Sequence, residues 1–218
     1  MIVVSDMMGT LTTGSPVLGL VDWVRHNQSR TQAQLYMISI TPKYILAKRG
    51  LIDWQKWGQE LMINSLKMVK EATPEKMKLV GEWAVEHDLW KQRREDVIAR
   101  LTDHKSRGAQ VYIASSVVEP MIEPFAARIG AQTIGTPVEY MNGKVRVAGE
   151  LVAQERKIEQ VLSRLGVDRL DFAYGDTAQD VPLLEHADHP VAVYPDEKLK
   201  ATAIERGWEI LGDHSSYE

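Results

Sequence analysis

Short β-branched and aromatic runs punctuate the chain. Ile2-Val3-Val4 stops at a polar, glycine-containing turn, Asp6 to Thr13, and reads as a buried strand of a parallel sheet. The pattern returns at Gln110–Ala114, Gln132–Gly135, Leu170–Tyr174 and Val191–Tyr194, with a further copy at Trp208–Leu211. Helical periodicity fills most of the gaps, over Arg93–Arg107, Val118–Ile129, Gln154–Leu165, Asp180–His186 and Glu197–Arg206. Such alternation predicts an open α/β fold, a mainly parallel sheet with helices on both faces. The stretch from Ser15 to Leu89 lacks a strand pattern. Its periodic Leu, Met, Ile and Trp predict helices over Val17–His26, Thr31–Lys48, Trp54–Lys70 and Pro74–His87. Thr73-Pro74-Glu75 supplies the cap, proline and acid of a helix start. The expected organisation is an α/β core from residues 1–14 and 90–218, with a helical domain, 15–89, inserted after the first strand. Asn142-Gly143 is a hairpin-turn pair, predicting short strands near Thr136–Tyr140 and Lys144–Ala148.

Composition narrows the function. Thirty acidic against 26 basic side chains give a net charge of −4, which argues against a nucleic-acid partner. The absence of cysteine excludes disulfides, thiolate metal sites and cysteine nucleophiles. No run approaches the roughly 18 apolar residues needed to span a bilayer, and the first residues lack the basic and apolar regions of a secretory leader. A cytoplasmic monomer or homodimer without a membrane partner is expected.

Sites in open α/β sheets form at the carboxyl ends of the strands. Asp6 follows the first strand. Ser115 and Ser116 follow the second. Asp176 and Asp180 follow the Leu170–Tyr174 strand, and Lys157 starts the helix before it. Hard carboxylate oxygens without imidazole suit Mg²⁺. A lysine and a hydroxyl suit a phosphate group.

Four segments, taken in order, resemble the motifs of the haloacid dehalogenase-like superfamily. They are Ser5-Asp6-Met7-Met8-Gly9-Thr10-Leu11-Thr12, Ser115 after Val111-Tyr112-Ile113-Ala114, Lys157, and Gly175-Asp176 with Asp180. Glu123-Pro124-Phe125-Ala126 and Tyr194-Pro195-Asp196 resemble the phosphoserine-phosphatase-like branch, and the inserted helices resemble its C1 cap. The resemblance implies a Rossmannoid core and Mg²⁺-dependent hydrolysis of a small phosphorylated substrate. Asp6 would be the nucleophile. The Asp6 carboxylate, the Met8 carbonyl and Asp176 would hold the metal, with Asp180 in support. Ser115, Ser116, Lys157 and the turn at Gly9 would bind phosphate, and Lys157 would also restrain Asp6.

Met8 departs from the pattern, because the family's phosphatases carry a second Asp there as general acid and base. A thioether has no proton to give. That opens a second reading, a non-catalytic member that binds a phosphorylated ligand or a protein partner. Gly9 and Ser15 also depart from the phosphoserine-specific pattern, which argues against phosphoserine as substrate. Met37, Met62, Met68, Met77, Trp54 and Trp57 are candidates for core or for an apolar pocket. Taken alone, Ser115 and Asp180 also read as helix N-caps, and Lys157 as a solvated side chain. Lys91-Gln92-Arg93-Arg94 reads as a solvated helix start. The six histidines, at 26, 87, 104, 186, 189 and 214, show no ligand spacing.

Overall fold

A computed structural model describes residues 1–212, with the backbone alone at Trp54 and Gln55. The strands are β1 (Ile2–Ser5), β2 (Gln110–Val118), β3 (Gln132–Thr136), β4 (Val138–Met141), β5 (Lys144–Val147), β6 (Leu170–Gly175), β7 (Ala187–Val193) and β8 (Glu209–Leu211). Six of them form one parallel sheet in the order β3-β2-β1-β6-β7-β8. β4 and β5 form a separate antiparallel hairpin, closed by Asn142 and Gly143 at φ +50° and +70°. Positive φ at both turn positions is the geometry that Asn-Gly favours.

The chain leaves β1 toward β2 and β3, then crosses back to β6 on the other side of β1. The order therefore reverses at β1. A crevice opens there beyond the strand carboxyl ends.

Nine helices are described. They are α1 (Pro16–Asn27), α2 (Arg30–Lys48), α3 (Trp54–Leu66), α4 (Pro74–Ala84), α5 (Glu95–Ser106), α6 (Glu119–Ile129), α7 (Glu155–Leu165), α8 (Val181–Glu185) and α9 (Glu197–Arg206). A π-helical turn, Val85–Leu89, extends α4, and a 3₁₀ turn, Ala178–Asp180, precedes α8. Adjacent strand residues point to opposite faces. On β1, Val3 enters an apolar cluster with α1, α4, α5 and α6, while Val4 enters one with α7, α8 and α9. Both sheet faces are covered, as a parallel sheet requires. The inserted helices join the first cluster through α4, which presses on α6. A Cβ at Gly81 would lie 2.0 Å from the Pro120 carbonyl oxygen, so only glycine permits that approach.

Three boundaries differ from expectation by four residues. α3 ends at Leu66, not Lys70. The Gln28 and Gln32 side-chain amides donate to the Met68 carbonyl, and Gln28 Oε1 accepts from the Lys70 N–H. Those bonds hold the chain in a turn, while Met68 and Val69 still pack into the core and prolong the apolar pattern. β7 starts at Ala187, ahead of the expected Val191, and passes through Pro190. Proline is tolerated because β8 pairs only with Val191–Val193, leaving an open edge beside Pro190. β2 runs on to Val118 with a register shift after Ala114, so Ser115 and Ser116 lie inside the strand's irregular end, not after it.

No described helix is long and apolar enough to cross a membrane.

Candidate active site

The site is built on the turn after β1. The Asp6 N–H donates to the Tyr174 carbonyl (2.9 Å), extending the pairing of β1 with β6 by one residue. The chain then tightens. The N–H groups of Leu11 and Thr12 donate to the Met7 carbonyl, and that of Gly9 to the Thr12 carbonyl. Gly9 has φ +86°, and a Cβ there would sit 1.9 Å from Asp176 Oδ2. Glycine is thus required by the backbone conformation and by the approach of the Asp176 carboxylate. Thr10 Oγ1 donates to Asp176 Oδ1 at 2.8 Å and ties the turn to the end of β6.

Lys157, from the first turn of α7, is the cationic centre. Its Nζ donates to Asp6 Oδ1 and Asp180 Oδ1, both at 2.7 Å, and all three side chains are buried. The other oxygen of Asp180 accepts from the Asp176 and Thr177 N–H groups and from the Thr177 hydroxyl, at 3.2–3.3 Å. Asp180 thus caps its own turn while anchoring the lysine.

Carboxylate oxygens of Asp6, Asp176 and Asp180 lie within 4.8 Å of one another. Burial pushes the Asp6 carboxyl up to about 6, against the pull of Lys157. Burial, then repulsion from Asp6 and Asp180, pushes Asp176 well above the usual range. Burial pulls Lys157 down, but attraction to Asp180 and Asp6 outweighs it and the net direction is up. Three carboxylates face one ammonium, so burial raises Asp6 and Asp176 first and repulsion among the carboxylates adds to it. Hard oxygen donors with surplus negative charge fit a divalent cation of the Mg²⁺ type. The Met8 carbonyl accepts no hydrogen bond among the described residues, which leaves a further oxygen available at the cavity.

A cavity of about 470 Å³ opens over these groups. Asp6, Met8, Gly9, Ser115, Ser116, Lys157, Asp176 and Asp180 all line it. Ser115 is buried and its Oγ accepts from the Val117 N–H (3.4 Å), so it is not a helix cap. Lys157 is not solvated. Trp57 and Met62 wall the cavity from α3, whereas Met68 and Met77 belong to the core and Met37 is exposed. The side chain of Trp54 and all of His214 lie outside the described residues. The other five histidines are absent from the cavity wall.

Sequence reasoning missed Thr10 and Arg94. Thr10 sits in the quoted motif, and its hydroxyl was the available signal. Arg94 overturns the reading of Lys91–Arg94 as solvated, because Arg94 is only 7% exposed. Its Nε donates to the Gly9 carbonyl at 2.7 Å, and its guanidinium lies 3.8 Å from the centre of the Tyr194 ring. No local pattern distinguishes it from Arg93. Arg94→Ala leaves the Gly9 carbonyl unpaired and is expected to cost about 1–3 kcal/mol of stability, measured by denaturant unfolding. A change under a few tenths of that range would contradict the clamp.

A family model described as haloacid dehalogenase-like hydrolase matches residues 3–185. The chain belongs to that family. Among solved structures, the chain superposes on a Bordetella pertussis protein of unknown function with a TM-score of 0.76 at 20% identity, over 97% of both chains. It superposes on a substrate-bound phosphoserine phosphatase with a TM-score of 0.63 at 16% identity, over 96% of this chain and 91% of that one. Both likenesses concern the fold. In sequence, the chain is 32% identical over 114 residues to the phosphoserine phosphatase SerB1 of Mycobacterium tuberculosis, covering 49% of this chain and 37% of that protein. The chain spans about half the length, or less, of the curated relatives named first among its matches.

Proposed function

We propose that this hydrolase cleaves a small phosphomonoester with Mg²⁺, carrying the phosphoryl group transiently on Asp6. The observation that supports this best is the Asp6 carboxylate itself. It is buried at the strand crossover, held by Lys157 at 2.7 Å and grouped with Asp176 and Asp180 over an open cavity.

Lys157 fixes the orientation of Asp6, so that one carboxylate oxygen is held and the other is directed to phosphorus. Attack forms the Asp6 O–P bond and breaks the bond to the leaving alcohol, splitting one hard displacement into two. Ser115 and the N–H groups of the β1 turn offer donors to phosphoryl oxygens. Asp6, Asp176 and the Met8 carbonyl would hold the cation, and Asp180 would keep Asp176 and Lys157 in place. When bound, the cation screens the carboxylates and offsets the charge on the transferring group. Water then hydrolyses the acyl phosphate and regenerates Asp6.

Residues 15–89 serve, in this reading, as a cap over the core of 1–14 and 90–218. On the leaving-group side the cap lines the cavity mainly with apolar Val17, Trp57, Leu61 and Met62, beside the uncharged polar Ser15 and Gln59. Asp88, the acid beside Ser15, is engaged by the Ser15 N–H (2.7 Å) and by Gln92 (2.9 Å) and is not among the cavity-lining residues. A substrate ammonium would find no carboxylate on that side. The reading therefore favours a less polar leaving group over serine.

The test is release of phosphate from an aryl phosphate. Turnover should require Mg²⁺, stop with chelator and fall at least about 100-fold in Asp176→Asn, an effect of the size that charge-stabilising groups supply. Turnover that persists in chelator would contradict the metal assignment. Inert protein, both as it stands and as Met8→Asp, with Mg²⁺ still bound, would favour a binding role.

A further inference from the structure

Helix α2 buries only Ala33 and Ala47 along its 19 residues. The opposite face carries Leu35, Ile38, Pro42 and Ile45. Their spacing of three, four and three residues aligns them on one side of a helix. Leu35 is 63% exposed and Ile38 68%, and Leu51, just beyond the helix, is 67% exposed. Large aliphatic groups gathered into one exposed stripe mark a surface that meets another apolar phase.

The charge on this segment is one-sided. No acidic residue occurs between Asp22 and Asp53, while Arg30, Lys43, Lys48 and Arg49 lie on α2 or at its end. None of the four has an ion-pair partner among the described residues. The whole chain carries −4, so the local sign is opposite to that of the molecule.

We propose that α2 is a surface anchor that lays its apolar stripe on a bilayer with anionic headgroups. A helix in the interface plane buries an apolar face and keeps lysine and arginine among the headgroups. Their long stems let the cations reach outward beside the aliphatic stripe. Charge decides against a second copy of the chain as the occupant, because pairing would bring two cationic helices together. The absence of a membrane-spanning helix does not bear on this mode of attachment. The proposal stands apart from the reaction at Asp6.

The test is flotation of the full chain with vesicles of mixed phosphatidylglycerol and phosphatidylcholine, against vesicles of phosphatidylcholine alone. The protein should float only with the anionic vesicles, and less as salt rises. The pair Lys43→Glu and Lys48→Glu should lower partitioning on the order of 30-fold or more. Leu35→Ser with Ile38→Ser should lower it as well, with the far-ultraviolet circular dichroism unchanged because both side chains are exposed. No flotation, equal flotation with neutral vesicles, or indifference to both pairs would overturn the proposal. A concentration-dependent dimer lost in Leu35→Ser with Ile38→Ser, without flotation, would also overturn it and assign the stripe to a second copy.

Discussion

Met8→Asp is expected to raise Mg²⁺-dependent turnover of an alkyl phosphomonoester at least about 100-fold, the lower end of what general acid–base catalysis supplies. Met8 lines the cavity two residues after Asp6. A thioether can neither protonate a departing alkoxide nor take a proton from water. An aspartate there would do both, lowering the barrier by about 3–5 kcal/mol. The gain should fall in kcat and leave KM nearly unchanged, because the acid acts in the transition state and not on bound substrate. It should shrink for an aryl phosphate, whose leaving group needs no proton. An equal gain on both substrates would point to better metal binding instead. No gain on either would remove Met8 as the cause of slow turnover.

Lys157→Met is expected to destabilise the metal-free protein by about 3–5 kcal/mol at neutral pH, the cost of removing one partner from a buried ion pair. The variant leaves Asp6 and Asp180 without the one cation that pairs with them among the described residues, beside a third carboxylate, Asp176. Acid should recover part of the loss by protonating the unpaired carboxylates.

The unaltered chain shows the same sign more gently. Asp6 has a folded pKa raised from 3.8 to about 6. Between those values the folded state holds a proton that the unfolded state has released. The Asp6 contribution to stability is therefore fully present below the unfolded value and is lost as pH rises from about 4 through about 6. Mg²⁺ should reverse that fall. Unfolding midpoints across this range, with and without Mg²⁺, provide the check. A midpoint that rises with pH in metal-free protein would contradict the charge balance drawn at the site.

Much of this arrangement is written in local pattern. Alternating β-branched runs and helical stretches specify a parallel sheet, and in such sheets the residues after each strand share one edge. That rule alone brings Asp6, Asp176 and Asp180 into one neighbourhood. The contacts among them are set by tertiary structure. Lys157 has the same charged helix-start surroundings as a solvated lysine. Its burial follows from where α7 meets the β1 turn, which no neighbouring residue encodes. Arg94 escapes for the same reason, since its partners Gly9 and Tyr194 are remote in sequence. Polar Ser115 and Ser116 look like the end of a strand, because polar residues usually end one, whereas an irregular register carries β2 through them. The turn after α3 is also non-local, since its bonds come from Gln28, just after α1, and Gln32 on α2.

The proposal rests on Asp6 as a nucleophile, and Met8 makes that unusually open to observation. Without a general base at position 8, hydrolysis of the acyl phosphate should be slow relative to its formation from an activated donor. The direct measurement is acid quenching of the chain with Mg²⁺ and an aryl phosphate, followed by peptide mapping by mass spectrometry. The account predicts a phosphoryl group on Asp6 that accumulates in this chain, diminishes in Met8→Asp and is absent in Asp6→Asn. A phosphoryl group on another residue, or turnover with no phosphorylated enzyme in either form, would contradict it.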